Sequence, residues 1–245
     1  MLATPVLQEP APARAHPHFG SPGQSAFDAV LFDCDGVLVD SEPITKEVLR
    51  EMLTEMGWAI SSDECMGLFI GKAPTDEAAL IEQRTGHRLT EPWIAEFRRR
   101  RNEALERELL AVPNIHQAVH AAYVHHGGRI ACASGSDRRK LELQLEKVSL
   151  MRYFDGRIFS GPEMKRSKPA PDVYLAAAQA LGVSPQRCVV IEDTVTGVTA
   201  GAAAGALVFA YNREPIGDLT PRALLNAGAT LVFHDMAELP SLVCG

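Results

Sequence analysis

Short runs of consecutive apolar residues alternate along this chain with longer stretches in which apolar residues recur every three or four positions. The runs at 29–33, 129–134, 157–160, 188–191, 206–210 and 230–233 are apolar through most of their length. That pattern predicts parallel strands covered on both faces. Between them, 115–126, 137–148, 172–181 and 196–204 carry helical periodicity. Such alternation closes through right-handed crossovers into a doubly wound, parallel α/β sheet. Ligands of these sheets bind beyond the carboxyl ends of the strands. The residues that end the runs are therefore the ones to read for chemistry.

One segment breaks the alternation. From 43 to 111 there is helix pattern only, with Ile44, Val48, Leu49, Met52, Leu53 and Met56 forming an apolar stripe. Asp40 or Ser41 is placed to cap this helix, with Pro43 in its first turn. Further helices are predicted over 75–83 and 91–110, and Pro113 marks the return to the sheet. The expected organisation is a core of 26–41 and 112–245, with an all-helical insert, 42–111, seated as a cap over the strand ends. Residues 1–25, rich in Pro and Ala and without periodicity, read as a disordered leader.

Composition narrows the class without choosing a reaction. The 245 residues are 46% hydrophobic, with no apolar run of membrane-spanning length, so no membrane association is expected. A formal charge of −7 argues against nucleic acid as a partner. The five cysteines, Cys34, Cys65, Cys132, Cys188 and Cys244, include no CxxC pair and read as free thiols of a reducing, cytoplasmic protein.

The richest strand end is the first. Asp33-Cys34-Asp35-Gly36 follows Ala29-Val30-Leu31-Phe32 directly. Side chains two apart on a strand share a face, so Asp33 and Asp35 are expected to point the same way. Two like charges 4 Å apart repel by about 4 kcal/mol at an effective dielectric near 20, so the pair calls for a cation or a proton. The second run ends in Ser134-Gly135-Ser136, where a hydroxyl and backbone N–H groups meet a helix start suited to phosphate; Ser136 is also placed to cap that helix. Lys168 lies in Ser167-Lys168-Pro169-Ala170-Pro171-Asp172, before a helix capped by Pro171 or Asp172. The fourth run ends in two more acids, Glu192 and Asp193.

In order and spacing, these four motifs resemble those of the haloacid dehalogenase-like hydrolases, over roughly residues 28–233. DCDGVLVDSE, KPAPD and IEDTVTG look most like the phosphatase and β-phosphoglucomutase-like branch, with its Rossmann-like core and helical cap. The resemblance implies Asp33 as nucleophile, forming an aspartyl-phosphate, and Asp35 as general acid and then base. It implies Mg²⁺ held by Asp33, the Asp35 carbonyl, Asp193 and Glu192, the last directly or through water. Gly36, Ser134, Gly135 and Lys168 would bind the phosphoryl oxygens. Asp35 separates the chain from dehalogenases, whose halide leaving group needs no proton.

The implied activity is Mg²⁺-dependent hydrolysis of a small phosphate ester such as a sugar phosphate, by a monomer or weak homodimer. Two alternatives stay open: a phosphohexomutase of the β-phosphoglucomutase kind, and a catalytically idle phospho-ligand-binding regulator. Pro74 stands where such mutases carry an arginine, which lowers the mutase reading. In the insert, Lys72 is a candidate contact to a substrate hydroxyl or second anion. The run Arg98 to Arg101, followed by Glu103, Glu106 and Glu108, reads as a solvated, salt-bridged helix face. His116 and His120 have metal-ligand spacing but no third ligand.

Overall fold

The computed structural model describes residues 27–69, 72–213 and 219–244. The leader expected over 1–25, and Gly71 in the loop before Lys72, lie outside the described residues. Six parallel strands form one sheet: β1 (Ala29–Phe32), β2 (Ile130–Ser134), β3 (Ile158–Ser160), β4 (Cys188–Glu192), β5 (Leu207–Tyr211) and β6 (Leu231–Phe233). Their order is β3-β2-β1-β4-β5-β6, so the chain reverses its direction of travel across the sheet at the β1–β4 boundary. That boundary is where a doubly wound sheet opens a crevice. All six strands coincide with apolar runs of the sequence.

The helices of the insert are α1 (Glu42–Glu55), α2 (Ser62–Phe69), α3 (Ala78–Thr85) and α4 (Glu91–Glu108). Those of the sheet region are α5 (Ile115–His125), α6 (Arg138–Lys147), α7 (Met151–Phe154), α8 (Asp172–Ala180), α9 (Val195–Ala203), α10 (Pro221–Asn226) and α11 (Leu239–Cys244). The helices α2, α7, α10 and α11 were not predicted. Each has eight residues or fewer, too short for a periodic stripe; α2 buries only Cys65 and Phe69.

Period two governs the packing. Val30 and Phe32 face a cluster with Ile115 and Val119 of α5, Leu141 and Leu145 of α6, and Leu239 of α11. Ala29 and Leu31 face Val173, Tyr174 and Ala177 of α8 and Val198 of α9 on the other side. The insert has a third apolar cluster of its own, in which Leu49, Met52 and Leu53 of α1 meet Trp58, Phe69, Ile81 and Phe97. Among the described residues no helix is long and apolar enough to cross a membrane.

Candidate active site

The register of the sheet assembles the site. Phe32 pairs with Ile191, and the Asp33 N–H donates to the Ile191 carbonyl at 3.0 Å, so Asp33 and Glu192 leave adjoining strands side by side. Lys168 enters between them. Its Nζ lies 2.7 Å from Asp33 Oδ1, 2.7 Å from Glu192 Oε1, 2.8 Å from the Tyr174 hydroxyl and 3.1 Å from the Ala133 carbonyl. Three protons thus serve four acceptors, and the Tyr174 hydroxyl donates its own hydrogen bond to Glu192 Oε1 at 2.9 Å. Burial opposes a charged lysine, yet the Asp33 and Glu192 carboxylates hold Lys168 well above the ordinary lysine range. For Asp33 the balance goes the other way. Burial, with the charges of Glu192 and Asp35, pushes its carboxyl up to about 7 despite Lys168.

Glu192, 1% exposed, uses both oxygens inside the protein. While Oε1 serves Lys168 and Tyr174, Oε2 accepts from the Asp193 N–H at 2.9 Å and from the Thr194 N–H and hydroxyl at 3.0 Å. Against the cost of its burial, these donors and Lys168 keep its carboxyl below the usual range. A β-carbon at Gly197 would fall 1.7 Å from Glu192 Oε1, so the first turn of α9 has room for this carboxylate only because it carries a glycine there. Asp193 is the opposite case: its buried Oδ1 has no hydrogen-bond partner. Burial first, then the charges of Glu192 and Asp33, push its carboxyl well above the ordinary value.

Asp33, Glu192 and Asp193 offer oxygens all within 4.8 Å of one another. An orphaned buried oxygen among three carboxylates fits a hard divalent cation, and oxygen donors are what magnesium takes. Glu192 is already saturated, so Asp33 and Asp193 are the residues free to ligate directly.

The two motif aspartates are held by different parts of the fold. Both lie beyond β1, which ends at Phe32, so they do not share a strand face, yet both open on the same cavity, as the sequence predicts. Asp35 lies in the turn beyond, where Gly36 has φ +79°. Ser136 Oγ donates to Asp35 Oδ2 at 2.6 Å, Gln144 Nε2 and Lys140 Nζ lie 2.8 Å from Oδ1, and Ser41 donates to Oδ1 as well. Burial would raise this carboxyl, but Lys140 and the two hydroxyls hold it far below the usual range. Both serines are therefore diverted from helix capping. Ser41 occupies the N-cap of α1 without a side-chain cap bond, and α6 is capped by Asp137, which accepts from the Lys140 N–H. A hydroxyl gains more from a carboxylate than from a backbone amide. Likewise α8 has Pro171 at its N-cap with no side-chain bond, while Asp172 pairs with Arg166 at 2.8 Å.

A cavity of about 750 Å³ joins these groups to the insert. Asp33, Asp35, Ser134, Gly135, Lys168, Glu192 and Asp193 line it from the strand ends; Thr45, Lys46, Lys72, Arg98 and Arg101 line it from the insert. Ser134 is buried, and its hydroxyl accepts from the Ser136 N–H at 3.3 Å. Lys72 is half-exposed and paired with Glu77 at 2.5 Å. Gly36 lies behind Asp193, on a smaller neighbouring cavity. The basic run on α4 splits instead of forming one solvated face. Arg99 and Arg100 pair with Glu96, Glu103 and Glu55, but Arg98 and Arg101, three apart and so on one side of the helix, line the cavity. Lys140, Gln144 and Tyr174 were not anticipated either.

The family model of the haloacid dehalogenase-like hydrolases matches residues 27–205. The chain is 31% identical over 180 residues to fructose-1-phosphate phosphatase YqaB of Escherichia coli (strain K12), covering 73% of this chain and 93% of that protein. To 6-phosphogluconate phosphatase of the same organism it is 26% identical over 219 residues, covering 89% and 95%. A family hydrolase from Deinococcus radiodurans R1, solved with bound phosphate and sodium, superposes with a TM-score of 0.73 at 35% identity, covering 88% of this chain and 94% of that one.

Proposed function

Because the chain belongs to the haloacid dehalogenase-like hydrolases and is a phosphoric monoester hydrolase, we propose that it is a Mg²⁺-dependent phosphatase of small phosphorylated carbohydrates, with Asp33 as its nucleophile. The observation that carries this reading is Lys168, 2.7 Å from both Asp33 and Glu192 beneath an Asp193 oxygen with no partner. A buried lysine there draws in phosphoryl oxygens and keeps Asp33 ionised for attack. Asp33 and Asp193 would hold Mg²⁺, which when bound supplies the positive charge that lets a phosphate dianion approach these acids.

The chain's own residues account for the rest. An Asp33 carboxylate oxygen bonds to phosphorus as the bond from phosphorus to the substrate alcohol oxygen breaks. The Asp35 carboxyl gives its proton to that oxygen. In the second half Asp35 takes a proton from water, the water oxygen bonds to phosphorus, and the bond to Asp33 breaks, releasing phosphate. Asp35 is ion-paired with Lys140 at 2.8 Å, so it acts as acid only after that contact opens and it has taken a proton from solvent; the proton it later takes from water restores it for the next turnover. Ser134 and the Gly135 N–H, beside Lys168 on the cavity wall, are the further phosphoryl-binding groups in this reading. The helical insert acts as the cap that closes over the ester.

One assay tests this reading. The protein is incubated with Mg²⁺ and a panel of sugar phosphates, and both inorganic phosphate and isomerised sugar phosphate are measured. Free phosphate is expected. Isomerised product in its place would make the chain a mutase, and tight binding without turnover a regulator.

A further inference from the structure

We propose that Arg98 and Arg101 form a subsite for a second anionic group, a carboxylate or a second phosphate, at the far end of the phosphorylated substrate. The inference rests on the phosphatase reading of the same cavity and adds the class of ester it selects.

The four arginines of α4 have different fates. Arg99 is neutralised by Glu96 at 2.7 Å and Glu103 at 2.6 Å, and Arg100 by Glu55 at 2.6 Å and Glu96 at 2.7 Å. Arg98 lines the catalytic cavity, and no ion pair or hydrogen bond among the described residues engages its side chain. Arg101, 8% exposed, commits Nη2 to Asp137 at 3.0 Å and Nη2 and Nε to Asn102, leaving Nη1 without an acceptor among the described residues. Such a guanidinium, held by one edge and open on the other, is set to accept a planar or tetrahedral anion.

Most of the other charges on the insert side are paired, and Asp76 is held by a backbone N–H alone. Glu42 pairs with Lys46 at 3.2 Å and Glu77 with Lys72 at 2.5 Å, and Asp76 accepts from the Ala73 N–H. Among the cations lining that wall, Arg98 is without an ion-pair partner among the described residues, while the charge of Arg101 is met by Asp137 and Asp76 keeps its own negative charge. On the same wall Thr45, 7% exposed, has a hydroxyl with no partner. A cavity of about 750 Å³ is far larger than a phosphate and holds a whole sugar-sized chain. A substrate whose phosphoryl end rests on Lys168 therefore presents its other end to Arg98 and Arg101. A neutral polyol leaves the Arg98 charge and the free Nη1 edge of Arg101 unmet; an acid meets both.

The test compares three esters with one carbon skeleton: an alditol 6-phosphate, the aldonic acid 6-phosphate and the alditol 1,6-bisphosphate. The wild type is expected to favour one or both charged esters over the alditol ester by about tenfold or more in kcat/KM, mainly through KM. That preference should shrink as salt is raised. Arg98→Gln should reduce the charged-to-neutral ratio about tenfold, and Arg98→Glu should reduce it further. Whichever charged ester loses more identifies the anion as carboxylate or phosphate. Equal kcat/KM for all three esters in the wild type, or a ratio unmoved by both Arg98 variants, overturns the subsite and leaves the phosphatase reading standing. Failure to hydrolyse any phosphomonoester sinks that reading, and the subsite with it.

Discussion

A β-carbon built on Gly36 would stand 1.9 Å from Asp193 Oδ2, so the turn after β1 and the acid after β4 compete for the same space. Gly36 has φ +79°, a conformation that a side chain occupies at a cost on the order of 1–2 kcal/mol. Gly36→Ala must therefore strain the turn and push Asp193 away from Asp33. Activity should fall at least tenfold, with a higher Mg²⁺ concentration needed for half-maximal rate and a melting temperature several degrees lower. Unchanged Mg²⁺ dependence in a stable variant would show that Asp193 has no part in holding the ion.

Lys140 sets the charge of Asp35 from α6, 2.8 Å away. The folded-state value of Asp35 is depressed, so its contribution to stability is present above the unfolded value near 3.9 and is lost as pH falls below it. In Lys140→Met burial is opposed by the Ser136 and Ser41 hydroxyls without the lysine charge, and the carboxyl rises. The variant should be about 3 kcal/mol less stable near neutral pH, the scale for breaking a buried pair. That deficit should narrow as the buffer approaches pH 4, because the variant's Asp35 then gains its proton. The acid limb of its kcat profile should also move to higher pH. Urea denaturation at several pH values, run beside a rate profile, checks both.

How much of this was legible before folding follows from sequence distance. The six strands are covered on both faces, so each is a run of apolar residues, and the acids that end β1 and β4 stand out against them. The partners of those acids do not. Lys140 and Gln144 reach Asp35 from more than a hundred residues away, and nothing local distinguishes them from other polar positions of α6. Tyr174 reads as a core aromatic, which its ring is; its hydroxyl gains a role only once Lys168 and Glu192 arrive. Ser41 and Ser136 carry real cap signals, overridden by a carboxylate that the local sequence does not reveal. The split of Arg98 and Arg101 from Arg99 and Arg100 was present as a three-residue spacing, but which side of α4 faces the cavity is decided by packing.

Tyr174→Phe separates the two duties of that residue. The ring stays in the α8 cluster, while Lys168 and Glu192 each lose one buried partner. A loss of about 1–3 kcal/mol in stability is expected, together with a severalfold fall in kcat as Lys168 loses its orientation. Stability and rate both at wild-type level would mean that the hydroxyl is incidental.

His126 ties stability to pH far from the site. The ring is 2% exposed, and its Nε2–H donates to the Val243 carbonyl at 3.0 Å, fastening α11 to the end of α5. Burial holds its value below the usual 6.5. As pH falls through 6.5, the unfolded chain takes up a proton that the folded one refuses, so stability falls by at most about 1.4 kcal/mol per pH unit from this group. Between pH 7.5 and 5.5 the wild type should lose more stability than His126→Gln does. Parallel curves for the two proteins would assign the pH dependence elsewhere.

Asp33→Asn distinguishes the charge of the nucleophile from its shape. The amide keeps an oxygen for Lys168 but has no carboxylate to attack phosphorus, so turnover should fall to background. Stability should move the other way. Burial beside Glu192 and Asp35 raises Asp33 to about 7, so the metal-free fold loses stability progressively as pH rises from the unfolded value near 3.9 to about 7, and regains it as pH falls back through that window. The asparagine mimics the protonated acid. In chelator at pH 8 the variant should therefore melt higher than the wild type, with the gap closing toward pH 5. Adding Mg²⁺ at pH 8 should raise the wild-type melting temperature by more than the variant's, because a ligand stabilises in proportion to its affinity for the folded state. An asparagine variant that melts below the wild type in chelator at pH 8 would falsify the picture of crowded, uncompensated acids at the end of β1.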